Sequence, residues 1–155
     1  MDTNAVIDWR FKKFEALTVE ELYEILALRS RVFVVEQQCI FLDMDGLDKH
    51  AHQLSGYVDG KLVAYTRILA KGLSYPEYPS IGRVVTAPEA RGKTYGFALM
   101  EESIKRLFNL YGEVPIKIGA QLYLEKFYNA LGFIQSGEGY LEDGIEHIPM
   151  LRSLK

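Results

Sequence analysis

Residues 84–96, Val-Val-Thr-Ala-Pro-Glu-Ala-Arg-Gly-Lys-Thr-Tyr-Gly, join the end of a β-branched run to the start of a helical pattern. The run begins at Ile81 and predicts a buried strand. The pattern that follows places its apolar residues on one helical face, at Phe97, Met100, Ile104, Leu107, Phe108 and Tyr111. Such spacing predicts a helix packed against a core. A strand, a glycine-containing turn and a helix therefore form the centre of the fold.

The turn Arg91-Gly92-Lys93-Thr94-Tyr95-Gly96 is suited to binding a phosphate group. The first amides of a helix have no partner inside the helix, and the helix dipole favours an anion there. Glycine lets the backbone approach an oxygen closely, and Arg91 and Lys93 add positive charge. Taken alone, the turn is weak evidence, because glycines also serve the local geometry of a strand-to-helix turn. The residues indicate an anion site, with a purely structural turn as the alternative.

The composition predicts one domain over residues 1–155. Acidic residues number 21 against 18 basic ones, for a net charge of −3, and the two signs are interspersed. This pattern gives no indication of nucleic-acid binding. Cys39 is the only cysteine, which excludes an intramolecular disulfide, and no stretch has the length and apolarity of a signal peptide or a membrane span. We expect a cytoplasmic protein without a membrane partner.

Periodicity and turn signals predict an alternation of strands and helices along the whole chain. Strands are expected at 9–14, 53–58, 61–70, 81–86 and 115–120 and on either side of Asp143-Gly144, with helices from Thr18 to about Val35, after Gly92, and over 121–131. Thr18 and Glu21 have the spacing of a capping box, and Asp59-Gly60 that of a tight hairpin. The Asp43–Asp48 segment is interpreted as a solvated loop, since its spacing fits neither a calcium nor a zinc site.

Arg91-x-x-x-x-Gly96 after a strand end resembles the acyl-CoA-binding signature of the GNAT acetyltransferases. That signature reads Arg or Gln, two residues, Gly, one residue, then Gly or Ala, so Thr94 stands where the first glycine is usual. Further stretches are similar to the ElaA branch of this superfamily over nearly the whole chain: Trp9, Leu22-Tyr23, Val32 to Gln37, Asp45-Gly46, Ala120-Gln121, Phe127-Tyr128, Leu131-Gly132-Phe133 and Glu142 to Ile145. If Thr94 has ordinary helical angles, its amide can still face a phosphate.

The resemblance implies an α+β, single-domain GNAT fold: a mixed, mostly antiparallel central sheet, splayed between strands 4 and 5, with helices on both faces. The pantetheine arm would lie in the gap beside Val84, Val85 and Thr86, one of whose amides would polarise the thioester carbonyl. The implied reaction moves an acetyl group from acetyl-CoA to a primary amine in a ternary complex, without a metal. The implied partners are an acyl-CoA and an amine acceptor, and the C-terminal strands could extend a sheet across a homodimer.

Tyr128 matches the tyrosine of the family's Phe-Tyr…Gly-Phe motif and is the candidate acid for the departing thiolate; the alternative is a core aromatic. Strand four carries Arg83 in place of the glutamate of some relatives, which leaves the base open. The candidate bases are water and four acidic or imidazole side chains: Glu36, Glu142, Asp143 and His147. For Glu142 and Asp143 the alternative is an ordinary turn, and for His147 a structural hydrogen bond. Because two acids and a histidine stand close together in the sequence, they are also candidates for holding a cationic amine substrate.

Arg31, Glu36 and Gln37 fall in the segment that covers the acceptor side in this family. A surface salt bridge is the alternative for Arg31. Two other functions remain open at this stage. One is a module that binds acyl-CoA without turnover, and the other is an acyltransferase of the same fold with a longer acyl donor.

Overall fold

Eight strands and three α-helices form the described part of the chain in the computed structural model, which covers residues 6–154. Residues 1–5 and 155 of the predicted domain lie outside it. The strands are β1 Asp8–Lys13, β2 His52–Val58, β3 Lys61–Leu69, β4 Ser80–Thr86, β5 Ile116–Gln121, β6 Ile134–Gln135, β7 Tyr140–Glu142 and β8 Ile145–Arg152. The helices are α1 Val19–Arg29, α2 Tyr95–Tyr111 and α3 Glu125–Asn129.

The strands form two antiparallel sheets that separate between β4 and β5. The first sheet has the order β1-β2-β3-β4, and the second has the order β5-β8-β6 with β7 also paired to β8. The amide of Lys117 donates to the carbonyl of Pro79 at 3.2 Å and joins the two sheets at one end. Beyond this hydrogen bond β4 and β5 belong to separate sheets. The predicted splay between strands 4 and 5 is therefore confirmed.

The two long helices cover opposite faces of the first sheet. Successive residues of a strand point to opposite faces, and here Tyr65 and Thr66 of β3 show which helix lies on each. The Arg29 guanidinium of α1 lies 5.8 Å from the centre of the Tyr65 ring, whereas Ser103 of α2 shares a 2.7 Å hydrogen bond with Thr66. The predicted helices on both faces are therefore confirmed.

The structure confirms the predicted helix cap at Thr18 and the two predicted Asp-Gly hairpins. The amide of Glu21 donates to the Thr18 hydroxyl at 3.0 Å while the Glu21 carboxylate accepts from the Thr18 amide at 2.9 Å, which confirms the capping box. Asp59-Gly60 and Asp143-Gly144 both have positive φ at both residues, as a tight hairpin of the I′ type requires. Both predicted hairpins are present.

Three boundaries differ from the prediction. The first helix is α-helical only to Arg29 and then continues in π-helical geometry over Ser30–Glu36. The helix predicted over 121–131 is a 3₁₀ turn at Leu122–Leu124 followed by the short α3, and the two-residue β6 has no signal in the sequence. In the part of the chain that the structure describes, no helix is both long enough and apolar enough to cross a membrane.

Candidate active site

The N-terminus of α2 has no side-chain cap. At α1 the Thr18 side chain occupies a helix amide, but at α2 the corresponding Thr94 hydroxyl donates instead to the carbonyl of Lys93 at 2.5 Å. The amides at the start of α2 thus remain available to an external acceptor. A cavity of about 450 Å³ lies in front of them and is lined by Thr86, Ala90, Arg91, Gly92, Thr94, Tyr95, Gly96, Phe97 and Phe127.

Thr94 has left-handed backbone angles, with φ 62° and ψ 14°. The condition of ordinary helical angles, under which its amide was expected to face a phosphate, is therefore not met. The left-handed region is open to glycine and strained for a β-branched residue, which explains why the family signature has glycine at this position. Gly92, two residues earlier, also has a positive φ, of 82°, so two of the residues before the helix have left-handed backbone angles.

Arg91 and Glu36, predicted for the cofactor and acceptor sides respectively, form an ion pair with each other. The guanidinium holds the carboxylate through two hydrogen bonds of 2.7 and 2.8 Å. The hydrogen bond from Arg91 lowers the pKa of Glu36 below its ordinary value. Both side chains are about two-fifths exposed, so an incoming anion has access to Arg91. Lys93 is half-buried and lies beside the cavity without lining it.

A larger cleft of about 1000 Å³ runs between the two sheets and shares Thr86, Arg91, Gly96 and Phe127 with the first cavity. Val84, Val85 and Thr86 of β4 line it on one side, and Gly119, Ala120 and Gln121 of β5 on the other. The predicted path for an extended arm, from the start of α2 into the gap between strands 4 and 5, is therefore present as open space.

β4 contains a β-bulge within this cleft. Tyr65 pairs with Val85 and Arg67 pairs with Gly82, so Arg83 and Val84 together lie opposite the single residue Thr66. Arg83 has a positive φ of 50°. A bulge disrupts the ladder and turns backbone groups away from the neighbouring strand. Amides of this segment can therefore point into the cleft.

Tyr128 enters the cleft from the α2 side. It lies on α3, is only 5% exposed, and packs in the core formed by α2, β5 and β8 with Phe127 and Phe133 at ring distances of 5.0 and 6.0 Å. Burial raises the pKa of the Tyr128 phenol. The hydroxyl is therefore protonated at neutral pH, which is the form that a general acid needs.

The opposite face of the second sheet carries the other catalytic candidates. Residues paired across an antiparallel ladder share a face, and Gln121 pairs with His147, which pairs with Tyr140. Glu142 is two residues beyond Tyr140 and shares this face as well. The core side chains of β5, by contrast, are Ile116, Ile118 and Ala120, which point toward α2. Tyr128 and His147 thus line the same cleft from opposite faces of the sheet.

The hydrogen bond of His147 fixes its tautomer. Nδ1 lies 2.8 Å from the carbonyl oxygen of Ile145, and because a carbonyl can only accept, Nδ1 carries the proton. In the neutral ring Nε2 is then a proton acceptor, and it lies 4.0 Å from a carboxylate oxygen of Glu142. Asp143 is exposed in the hairpin turn, where its carbonyl accepts from the Cys39 thiol at 3.4 Å.

The Asp43–Asp48 segment is not a solvated loop. Asp43 and Asp48 are 4% and 8% exposed, and both bind Arg29, with distances of 2.8 and 2.7 Å. Arg67 binds Asp45 and Asp48 at 2.6 and 3.0 Å, and Arg83 binds Asp43 at 2.8 Å. Three arginines and three aspartates therefore hold this loop against β3 and β4, where Asp45, Arg67 and Arg83 line the cleft.

The remaining acceptor-side candidates, Gln37 and Arg31, differ in whether they line the cleft. Gln37 lines the cleft and its side-chain carbonyl accepts from Gln121 at 3.3 Å. Arg31 is about half exposed, pairs with Glu89 at 2.7 Å, and does not line the cleft. Sequence reasoning missed Tyr75 and Tyr140, which do line it. Tyr140 stands two residues before Glu142 on a strand, and this alternation was the available signal.

No group of three His, Cys, Asp or Glu side chains within residues 6–154 is arranged to hold a metal ion. The absence of a metal from the reaction therefore stays a prediction. The fit to an acyl-CoA has more support, because free helix amides, Arg91 and an open strand edge lie along one continuous path. This combination fits the donor site of an acyl-CoA-dependent acyltransferase.

The family model described as the acetyltransferase (GNAT) domain matches residues 19–154. The chain belongs to the GNAT acetyltransferase family, and the predicted resemblance is confirmed. A UPF0039 protein of Synechocystis sp. is 42% identical over 146 residues, covering 94% of both chains. Protein ElaA of Escherichia coli is 39% identical over 151 residues, covering 96% of this chain and 98% of ElaA.

A solved structure agrees with these relatives. The acyl-CoA N-acyltransferase from Pseudomonas aeruginosa has a TM-score of 0.88 at 40% identity, covering 96% of this chain and all of that one. The predicted fold class is confirmed by this likeness.

Proposed function

We propose that this protein transfers an acetyl group from acetyl-CoA to a primary amine, directly and within a ternary complex. The observation that carries the proposal is the arrangement of one cleft between two sheets, into which Tyr128 opens from one face and His147 from the other. A donor bound along the α2 side and an acceptor bound on the opposite face would meet in that cleft. Family membership supports acyl transfer in general.

The donor-binding residues follow the path of the cavities. The amides of Tyr95, Gly96 and Phe97 and the guanidinium of Arg91 bind the diphosphate, while the backbone of Val84 to Thr86 holds the pantetheine arm. An amide at the β4 bulge donates to the carbonyl oxygen as negative charge develops on it. The residues on both sides of the bulge are paired with β3, so the bulge amides are held in place and need little reorganisation as the oxyanion forms.

Two side chains move the protons. Nε2 of His147 accepts the proton that the amine gives up, either directly or through one water, and Glu142 stabilises the resulting imidazolium. The amine lone pair then adds to the carbonyl carbon, which forms the C–N bond and the oxyanion. As the oxyanion collapses and the C–S bond breaks, Tyr128 donates its proton to the departing thiolate, and the remaining extra proton on the nitrogen passes to the Tyr128 phenolate. Glu142 and Asp143 contribute negative charge that attracts a cationic amine, since the cleft arginines Arg67, Arg83 and Arg91 are already paired with carboxylates.

A longer acyl donor is the second candidate. The cleft continues past the bulge to Ser80 and Ile118, beyond the Val84 to Thr86 backbone that is assigned to the pantetheine arm. We therefore keep a series of acyl chains in the test.

The test measures release of free CoA from acetyl-CoA and from longer acyl-CoAs against a panel of amines. The proposal predicts release that depends on both donor and amine and is greatest for acetyl-CoA. His147→Gln, which keeps a polar side chain but provides no base, should lower turnover by about tenfold or more without weakening acetyl-CoA binding. Tight acyl-CoA binding with no CoA release for any amine would instead support a binding module.

A further inference from the structure

Two tyrosine hydroxyls meet over Gly119 in the corner of the cleft next to His147. Tyr75 comes from the loop between β3 and β4, and Tyr140 comes from β7. A Cβ atom built on Gly119 would overlap the Tyr140 hydroxyl oxygen and would lie 3.3 Å from that of Tyr75. Any side chain at this position of β5 would therefore displace Tyr140. The glycine serves this close approach rather than an unusual backbone angle, since its φ is not positive.

The same corner contains an imidazole and a carboxylate. The Tyr140 ring stacks on the His147 ring, with centroids 5.6 Å apart and planes inclined by 22°. Nε2 of His147 in turn lies 4.0 Å from Glu142. Lys117 lies on the same face of β5 as Gly119, two residues further along the ladder from the Gln121–His147 pair. Its Nζ is 4.9 Å from the centre of the Tyr75 ring. The hydroxyls, the imidazole and the carboxylate thus line one wall of the cleft.

These groups match the donors of a primary ammonium ion. Such an ion has three N–H donors and a compact charge, and it requires acceptor oxygens. Burial raises the pKa of Tyr75 to about 12, assisted by the neighbouring Tyr140 and Glu142, and burial also raises the pKa of Tyr140. Both phenols are therefore neutral near pH 7, and their oxygens can accept. With the Glu142 carboxylate, the corner offers three acceptor groups and a negative charge.

We propose that Tyr75, Tyr140 and Glu142 bind the protonated primary amine of the acceptor beside His147, and that Gly119 sets the size of this pocket. The proposal rests on the proposed function and adds the residues that hold the acceptor. It assigns a binding role to Tyr140, whose ring also keeps His147 in place, and it explains why β5 carries glycine at this position.

The test combines Tyr140→Phe, Gly119→Ala and the double variant. Tyr140→Phe keeps the stacked ring and removes the hydroxyl, so the KM for the amine should rise by about tenfold while the Kd for acetyl-CoA stays within about twofold. Gly119→Ala should raise the amine KM similarly, because the new methyl group displaces the hydroxyl. In the Tyr140→Phe background the next atom of that ring lies 3.7 Å from the new methyl group, and only the Tyr75 hydroxyl, at 3.3 Å, has to shift slightly. Gly119→Ala should therefore have a smaller further effect there than in the wild type.

Tyr78→Phe is the matched control. It removes a hydroxyl from the same loop as Tyr75, and Tyr78 does not line the cleft. Binding of hexylamine to the CoA-loaded protein, measured by calorimetry, gives a readout that does not need turnover. Tyr140→Phe should weaken this binding by about tenfold, and hexanol should not compete.

The outcomes separate this inference from the proposed function. Turnover with an unchanged amine KM in Tyr140→Phe would refute the acceptor pocket and leave the acetyltransferase proposal standing. Absence of turnover together with Tyr140-dependent hexylamine binding would refute the proposed function and support the pocket. If neither turnover nor Tyr140-dependent binding is seen, both proposals are wrong.

Discussion

Replacement of Thr94 by glycine should stabilise the protein, because the backbone there is already in a glycine conformation. A residue with a Cβ atom at φ 62° costs about 1–2 kcal/mol relative to glycine, with a β-branched residue at the upper end. The greater conformational freedom of glycine in the unfolded chain lowers the stability of the folded state by about 0.5–1 kcal/mol. The exposed hydrogen bond from the Thr94 hydroxyl to the Lys93 carbonyl contributes about 0.5 kcal/mol at most.

The balance predicts a net gain of about 0.5–1 kcal/mol, which for a chain of this size raises Tm by about 1–4 °C. Thr94→Gly should also bind acetyl-CoA at least as tightly as the wild type, because removing the side chain from the cavity wall widens the approach to the α2 amides. Thermal unfolding and a calorimetric titration measure the two effects on the same preparation.

Thr94→Asn and Thr94→Ala test whether backbone strain at position 94 is the cause of the expected gain in stability. Asparagine tolerates left-handed angles and should gain part of the stability, while Thr94→Ala keeps a Cβ atom there and should gain least. The expected order of Tm is therefore Gly, then Asn, then Ala. A Thr94→Gly variant that melts below Thr94→Ala would refute the claim that strain at this backbone position limits stability.

Three other substitutions test separate parts of the site. Gly96→Glu should abolish acetyl-CoA binding by placing a carboxylate at the α2 amides, while Gly96→Ala should bind normally, since its Cβ would meet Phe127 and Thr86 at ordinary distances of 3.7–3.9 Å; normal binding by Gly96→Glu would place the diphosphate elsewhere. Tyr128→Phe should reduce turnover by about tenfold or more with an unchanged Kd for acetyl-CoA, and an unchanged rate would exclude Tyr128 as the acid. Asp45→Asn should lose about 1–3 kcal/mol of stability at pH 7, as measured by urea unfolding, because the buried Arg67 loses a charged hydrogen-bond partner. The hydrogen bond from Arg67 lowers the pKa of Asp45, so the wild type holds this stability above the ordinary pKa of aspartate and loses it as the pH falls; Asp45→Asn should therefore show a shallower loss on acidification, and equal acid sensitivity would contradict the role of this pair.

Sequence alone predicted those features that depend on neighbouring residues. The capping box at Thr18, the two hairpins and the strand-turn-helix around Arg91 each rest on side chains within a few positions of one another. The Asp43–Asp48 segment could not be interpreted in this way, because its partners are 14 to 40 residues away along the chain. A loop rich in aspartate looks solvated until the fold brings arginines from α1, β3 and β4 to it.

The same limit applies to the catalytic candidates. The resemblance identified Tyr128 and the hairpin residues, but which of them share a face depends on the register of β5, β7 and β8. That register brings His147 opposite Gln121 and Tyr140. No local pattern specifies the pairing of β5 with β8, whose partners are more than twenty residues apart, or the packing of the Tyr75 loop over β5. Tyr75 therefore became a candidate only in the structure, whereas the pairing of Tyr140 with His147 follows from the predicted hairpin.

The contacts of Arg83 support the proposal of a base outside strand four. Its guanidinium donates to a carboxylate oxygen and to the backbone carbonyl of Asp43, both at 2.8 Å, and so fastens the loop above the cleft at the β4 bulge. A glutamate at this position would place its carboxylate beside that of Asp43, and two neighbouring carboxylates repel each other or share a proton. Arg83→Glu should therefore release the loop rather than supply a base. With strand four committed to holding the loop, the proposed proton acceptor lies on the opposite side of the cleft, where Nδ1 of His147 donates to the Ile145 carbonyl and Nε2 faces Glu142.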